Sequence, residues 1–254
     1  MHHNLLAYDD HEIFDNVRDE FTYKMDKLRS VEKNIHFIHN LFDGEINVLE
    51  LGSGNGKFLL GLERANLLNS GTAIEISNSR HSFAVEWARE LKCTKTSYYN
   101  QDVLDTDLTE FGEQDLIYCV DAAFQFLDPV KSGSDREVLS NSYNALKRGG
   151  KIVLEVETHT DIFNSMLDGN FKTWQRLDDS DPWEYLLWDC NAVGINTIEI
   201  NKIFIHRHHS PISKSSVTLR DYSRNELLCL LESVGFKNCK IYEDWDEFMV
   251  VGEK

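Results

Sequence analysis

The sequence predicts an α/β fold: a mostly parallel sheet of seven strands that finishes in an antiparallel hairpin. Three observations carry this prediction. Strand-like and helix-like apolar runs alternate from Ile46 to Glu157, and that alternation builds parallel strands joined by crossover helices. Three glycines at alternate positions, Gly52, Gly54 and Gly56, sit between the first strand and the helix after it. The chain ends in a helix, a glycine stop and two strands across a short turn.

Residues 10–42 predict a helical segment. Met25, Leu28, Val31, Ile35, Ile38 and Leu41 recur at three- and four-residue steps, and Gly44 follows as a stop. Tyr8, Phe14, Phe21 and Tyr23 lie upstream as packing or contact aromatics. Ile46, Val48, Leu49 and Leu51 suit a strand covered on both faces. Phe58, Leu59 and Leu62 give the next helix an apolar side. The glycine turn therefore lies at the carboxyl end of a strand, where open parallel sheets bind ligands. It is neither G-x-G-x-x-G, because Lys57 stands three residues after Gly54, nor a P-loop.

The second strand, 71–77, contains Glu75. A nucleotide-binding α/β unit places a ribose-binding carboxylate about 20 residues past its glycines. A carboxylate can accept from both neighbouring ribose hydroxyls. A helix with Phe83, Trp87 and Leu91 leads to a third strand, 96–100, and Asp115–Val120 forms a fourth. Ser134-x-x-Glu137 predicts a capping box, with Lys147 and Arg148 at the helix end and Gly149 and Gly150 stopping it. The fifth strand is 151–157. Ser223-x-x-Glu226 opens the last helix, Gly235 ends it, and residues 236–242 and 247–251 form the hairpin. Residues 158–222 stand apart from this pattern. They carry Trp174, Trp183 and Trp188, and Ile198–His206 alternates as a strand with 214–221 as its partner.

Composition narrows the function. The net charge is −17 and no basic stripe is present, so phosphate backbones are repelled and a nucleic-acid partner is not expected. No apolar run approaches the roughly 18 residues of a membrane span, and the N-terminus lacks a signal pattern. Five scattered cysteines without C-x-x-C point to a reducing, cytoplasmic setting.

The run Glu50-x-Gly52-x-Gly54-x-Gly56, with Glu75, Asp102 and the terminal hairpin, resembles the class I S-adenosylmethionine-dependent methyltransferases of the small-molecule, glycine N-methyltransferase-like type. The resemblance implies a Rossmann-like sheet with S-adenosylmethionine as cofactor and S-adenosylhomocysteine as its product. It places Glu50, Gly52, Ser53, Gly54 and Gly56 around the amino-acid part of the cofactor. Glu75 is placed at the ribose and Ile76 on the adenine face. Asp102 is placed at the adenine amino group and the Val103 N–H at a ring nitrogen, with Asp105 and Asp107 as competitors for the acid. Val120 and Asp121 are placed beside the donor methyl, and Tyr23 in a helical cap. Asp121-Ala122-Ala123-Phe124 departs from the Asp/Asn-Pro-Pro-Tyr/Phe of base-methylating enzymes, which argues against a base as acceptor.

The expected organisation is a cap at 1–44, a cofactor-binding core at 45–157 and 223–254, and an inserted subdomain at 158–222. The insertion forms a small antiparallel sheet that lines the acceptor pocket or joins two copies into a homo-oligomer. The expected reaction is methyl transfer to an oxygen or nitrogen of a small molecule. A protein or nucleic-acid methyltransferase, and a non-catalytic cofactor-binding partner subunit, are the alternatives. Candidate catalytic groups are His159 as general base, then Glu157 and Asp121. Candidate acceptor contacts are Phe124, Trp174, Trp188 and His206. No metal is expected, since His206-x-His208-His209 lacks neighbouring acids or cysteines.

Overall fold

A computed structural model describes residues 12, 14, 16–119, 121–179, 181, 183–208, 212–244 and 247–254. The expected N-terminal helix is two helices, α1 (Val17–Ser30) and α2 (Glu32–Leu41). Asn16 caps α1 by accepting from the N–H groups of Arg18 and Asp19. The break falls at Val31, which is buried. Val31 and Ile35 pack so closely on Gly61 that a Cβ there would lie 2.5 Å from Ile35. Packing on the next helix thus overrides a continuous helical stripe.

The main sheet contains β1 (Ile46–Leu51), β2 (Leu68–Glu75), β3 (Thr96–Asn100), β4 (Gln114–Cys119), β5 (Leu146–Glu157), β10 (Lys237–Asp244) and β11 (Glu247–Glu253). Its order is β10-β11-β5-β4-β1-β2-β3, parallel except where β11 meets β5 and β10. Helices α3 (Lys57–Arg64), α4 (Asn78–Leu91), α5 (Leu127–Val130), α6 (Ser134–Ala145) and α8 (Arg224–Val234) cross between strands. Val48, Leu49, Leu116, Ile117, Ile152 and Val153 are buried, as central strands covered on both faces require. The seven-stranded, mostly parallel α/β architecture is the one expected.

Two local expectations are corrected. Gly133, not Ser134, precedes α6, and no side chain caps that helix. Lys147–Gly150 do not stop α6, which ends at Ala145; they open β5. Gly149 and Gly150 exchange backbone hydrogen bonds with Lys254, and this pairing at the sheet's end draws them into the strand. At α8, Ser223 does cap the helix through the Glu226 N–H, while the Glu226 carboxylate pairs with Arg220 instead of closing the box.

Between β5 and α8 come α7 (Thr160–Ser165) and the strands β6 (Asn170–Arg176), β7 (Trp183–Gly194), β8 (Thr197–His206) and β9 (Ile212–Arg220). These strands form a separate antiparallel sheet in the order β6-β7-β8-β9. The expected pair is present as β8 and β9, in register from Thr197↔Arg220 to Ile205↔Ile212. Cys190, Ile198, Ile200, Val217 and Leu219 form its core, against which Phe126, Phe163 and Trp188 pack.

Candidate functional site

The turn after β1 rises at the carboxyl end of the sheet. Gly52 and Gly54 have φ of 69° and 54°, a region side chains disfavour. Space also demands glycine here. A Cβ on Gly52 would lie 2.8 Å from that of Ala123, and one on Gly54 would lie 2.8 Å from the Arg80 guanidinium. Gly56 follows as the N-cap residue of α3.

Glu75, at the end of β2, binds this turn with both oxygens. It accepts from the Gly54 N–H at 2.7 Å and the Ser77 N–H at 2.8 Å. Ser77 then caps α4 by accepting from Arg80 N–H. Asn100 donates to the Glu75 carbonyl, so the ends of β2 and β3 are held together. Asp102 accepts from the Leu104 N–H at 2.9 Å in the turn beyond β3. These elements surround a cavity of about 310 Å³, a volume that suits a small molecule.

From the expected set, Tyr23, Gly52, Gly54, Glu75, Ile76, Asp102, Val103, Asp121 and Glu157 line the cavity. Glu50 and Ser53 are buried beside it. Among the described residues, both Glu50 oxygens lack a hydrogen-bond partner, and burial, then the charge of Asp121, pushes this carboxyl well up. Val120 lies outside the described residues.

Several expected residues are placed elsewhere. His159 is buried, precedes α7 and does not line the cavity; burial and the charge of Lys202 lower its pKa to about 4. Its Nε2 lies 3.7 Å from Glu157. His159 thus lies off the cavity with its ring inside the protein. Phe124 is buried against Tyr222. Trp174 projects from edge strand β6, largely exposed. Trp188 packs in the small sheet, and His206 is buried edge-on to Trp183. None of these four lines the cavity.

The structure adds cations that the sequence reading left without a role. Lys57 binds Asp121 at 2.7 Å. Burial opposes both charges, but their pairing raises the pKa of Lys57 and lowers that of Asp121. Arg80 pairs with Glu12 at 3.4 Å. Lys27 stands 5.0 Å from the Tyr23 ring, its pKa lowered by burial and by Lys57. The signals were modest: Lys27 stands one helical turn beyond Tyr23, and Lys57 directly follows the glycine turn. Asn55, which donates to the Tyr23 hydroxyl, lies inside that turn. Asp181, on the way into β7, also lines the cavity and had no local signature.

The donor set fits S-adenosylmethionine. Glu75 offers a fixed carboxylate, Asp102 a second acceptor two strands from the glycine turn, and Glu50 an unsatisfied buried carboxyl next to the turn, whose ionised form an ammonium would favour. Residues 48–150 match the family described as "Methyltransferase domain". Residues 48–150 thus carry a methyltransferase domain, and the fold around them is that of class I S-adenosylmethionine-dependent methyltransferases.

Solved structures agree on the fold. An S-adenosylmethionine-dependent methyltransferase from Clostridium acetobutylicum is 16% identical, with a TM-score of 0.71 over 94% of this chain and 99% of that one. The CcbJ methyltransferase from Streptomyces caelestis is 15% identical, with a TM-score of 0.72 over 99% and 97%. CalS10, an amino pentose methyltransferase from Micromonospora echinaspora solved with S-adenosylmethionine bound, is 15% identical, with a TM-score of 0.69 over 96% and 99%. No curated protein matches the chain. Among the described residues, no helix is long and apolar enough to cross a membrane.

Proposed function

We propose that the protein methylates an amine nitrogen of a small molecule, with amino sugars as the first class to test. The observation that carries this reading is the charge of the cavity wall. Five carboxyl side chains, Glu75, Asp102, Asp121, Glu157 and Asp181, line it against three cations, Lys27, Lys57 and Arg80, an acidic excess suited to an amine that arrives as an ammonium. The methyltransferase of similar fold that acts on an amino pentose supports the choice.

When bound, S-adenosylmethionine would supply an activated methyl group, its C–S bond breaking as the new C–N bond forms and S-adenosylhomocysteine leaving with the electron pair. The chain's own task is to align the partners, exclude water and take a proton. Glu75, Asp102 and the glycine turn hold the donor. Glu157, at the end of β5, takes the proton that the nitrogen loses. Burial raises its pKa, Lys202 opposes this, and Asp121 and Glu155 add to it, so it is a better base than an ordinary surface carboxylate. Asp121 remains tied to Lys57 and cannot share that role.

We assign donor binding to 45–157 and 223–254, and acceptor selection to 1–44 and 158–222. Five free cysteines support a cytoplasmic location, and the acidic charge supports a small-molecule partner rather than nucleic acid. The test is mass-spectrometric detection of S-adenosylhomocysteine release with paired amino and hydroxy sugars. Release with the amine of each pair is expected. Release with the hydroxy compounds alone overturns the nitrogen assignment.

A further inference from the structure

Asp121 reaches the cavity through an unusual backbone path. Asp121 and Ala122 both occupy the left-handed region, with φ of 47° and 59°. Such strain at two successive residues persists only where the surroundings enforce it. Glu155, buried two residues before the end of β5, holds this backbone at the Asp121 N–H.

Glu155 accepts the Asp121 N–H at 3.1 Å and the Asn34 side-chain N–H at 3.0 Å. The Tyr118 hydroxyl stands at 3.4 Å, and Asn34 also donates to that hydroxyl at 2.8 Å. Tyr118 is in turn stacked on Phe58, with ring centroids 4.1 Å apart. Thus α2, β4 and β5 converge on one carboxylate, and that carboxylate faces the turn rather than the cavity.

We propose that Glu155 is the positioning residue of the donor site: its ionised carboxylate holds the Asp121 turn, and so sets the Asp121–Lys57 pair against the donor. The proposal rests on donor binding in the cavity. Asp121 binds Lys57 with its side chain while Glu155 grips its backbone. The same turn brings Ala123 against Gly52, so loosening it also disturbs the glycine loop.

The charge surroundings make this grip sensitive to pH. Burial, then the negative charge of Asp121, raises the Glu155 pKa to about 7, while its hydrogen bonds from Asp121 and Asn34 oppose the rise. Glu247 on β11 adds to it and is itself raised by burial and by Glu157. The other titratable groups facing this region are Tyr118 on β4, Glu50 on β1, Glu157 on β5 and Lys57 on α3; Lys33 on α2 acts on Glu247. A protonated Glu155 remains a weaker acceptor, since hydrogen bonds to charged groups are the stronger ones. The grip is firm above the Glu155 pKa and slackens below it.

The test is calorimetric titration of the full chain with S-adenosylhomocysteine between about pH 6 and about pH 8, for the wild type, Glu155→Gln and Glu247→Gln. The wild type is expected to bind about tenfold more weakly at the acid end. Glu155→Gln is expected to bind at every pH as the wild type does at the acid end. Glu247→Gln, which removes a neighbouring charge, moves the midpoint to lower pH and keeps the amplitude. Wild-type pH dependence in Glu155→Gln overturns the proposal, as does a lower melting temperature with an unchanged binding profile. The Asp121 amide signal in ligand-free protein gives an independent reading by nuclear magnetic resonance. It should titrate near pH 7 in the wild type and stay still in Glu155→Gln. If the wild type binds no S-adenosylhomocysteine at any pH, donor binding fails, and the amide titration still decides the role of Glu155.

Discussion

Replacing Glu75 separates a ligand-binding carboxylate from an ordinary surface acid. Its two oxygens accept from Gly54 and Ser77 N–H groups at 2.7 and 2.8 Å, and the residue is buried. Glu75→Gln keeps the shape but offers one acceptor oxygen. One N–H then faces an amide donor, at a cost of about 1–3 kcal/mol for an unsatisfied buried group. Glu75→Ala strands both N–H groups and costs about 2–6 kcal/mol by the same reasoning. Both variants also lose acceptors for a ribose, so affinity for S-adenosylhomocysteine should fall by about 30-fold or more, since about 1.4 kcal/mol is tenfold. Melting and calorimetry together give the answer. A Glu75→Gln variant that melts lower yet binds within about twofold of wild type would refute the ligand role and leave only a loop-bracing one.

Asp102→Ala should weaken S-adenosylhomocysteine binding by about tenfold with little change in melting, because it deletes one acceptor from a partly exposed turn. Gly52→Ala combines a φ of 69° with a 2.8 Å approach to Ala123. It should cost at least about 1–2 kcal/mol in denaturant melts; unchanged stability would mean the turn is not fixed as described. Glu157→Gln should reduce turnover of an amine acceptor by about 100-fold while donor affinity stays, and equal turnover would remove it as the base. His159 is held neutral, its pKa lowered from 6.5 to about 4. The unfolded chain therefore binds its proton first as pH falls, and stability from this group is lost between about pH 6.5 and about pH 4, by about 3–3.5 kcal/mol. His159→Gln should flatten that part of the melting profile, and a profile as steep as wild type would show another group responsible.

Much of the fold was legible because regular patterns reflect regular backbone. Val48, Leu49 and Leu51 beside the glycine turn, and Glu75 at the next strand end, mark one ligand-binding corner through spacing alone. The hairpin after Gly235 was equally plain. The break at Val31 was hidden, since its cause is the close fit of Val31 and Ile35 on Gly61, a contact between distant segments. The cavity cations were hidden for a related reason. Lys27, Lys57 and Arg80 come from three helices, and long side chains reach a common space without any sequence period. His159 shows the converse. Its place just past a strand end suggested chemistry, but the chain turns into α7 there and buries the ring.

Gln125 has a wider consequence. Its amide donates to the carbonyls of Glu157 and Arg220 and accepts the Glu157 N–H, while Asp221 accepts from the His159 N–H. The stretch holding β6 to β9 therefore leaves and rejoins the rest of the chain through one stapled doorway. The entropy of closing that long excursion is offset in part at this staple. Two of the excursion's residues still reach the cavity side, Asp181 in the lining and Lys202 by its charge on Glu157, so a change of acceptor would be written at those few positions while the staple keeps the excursion in place.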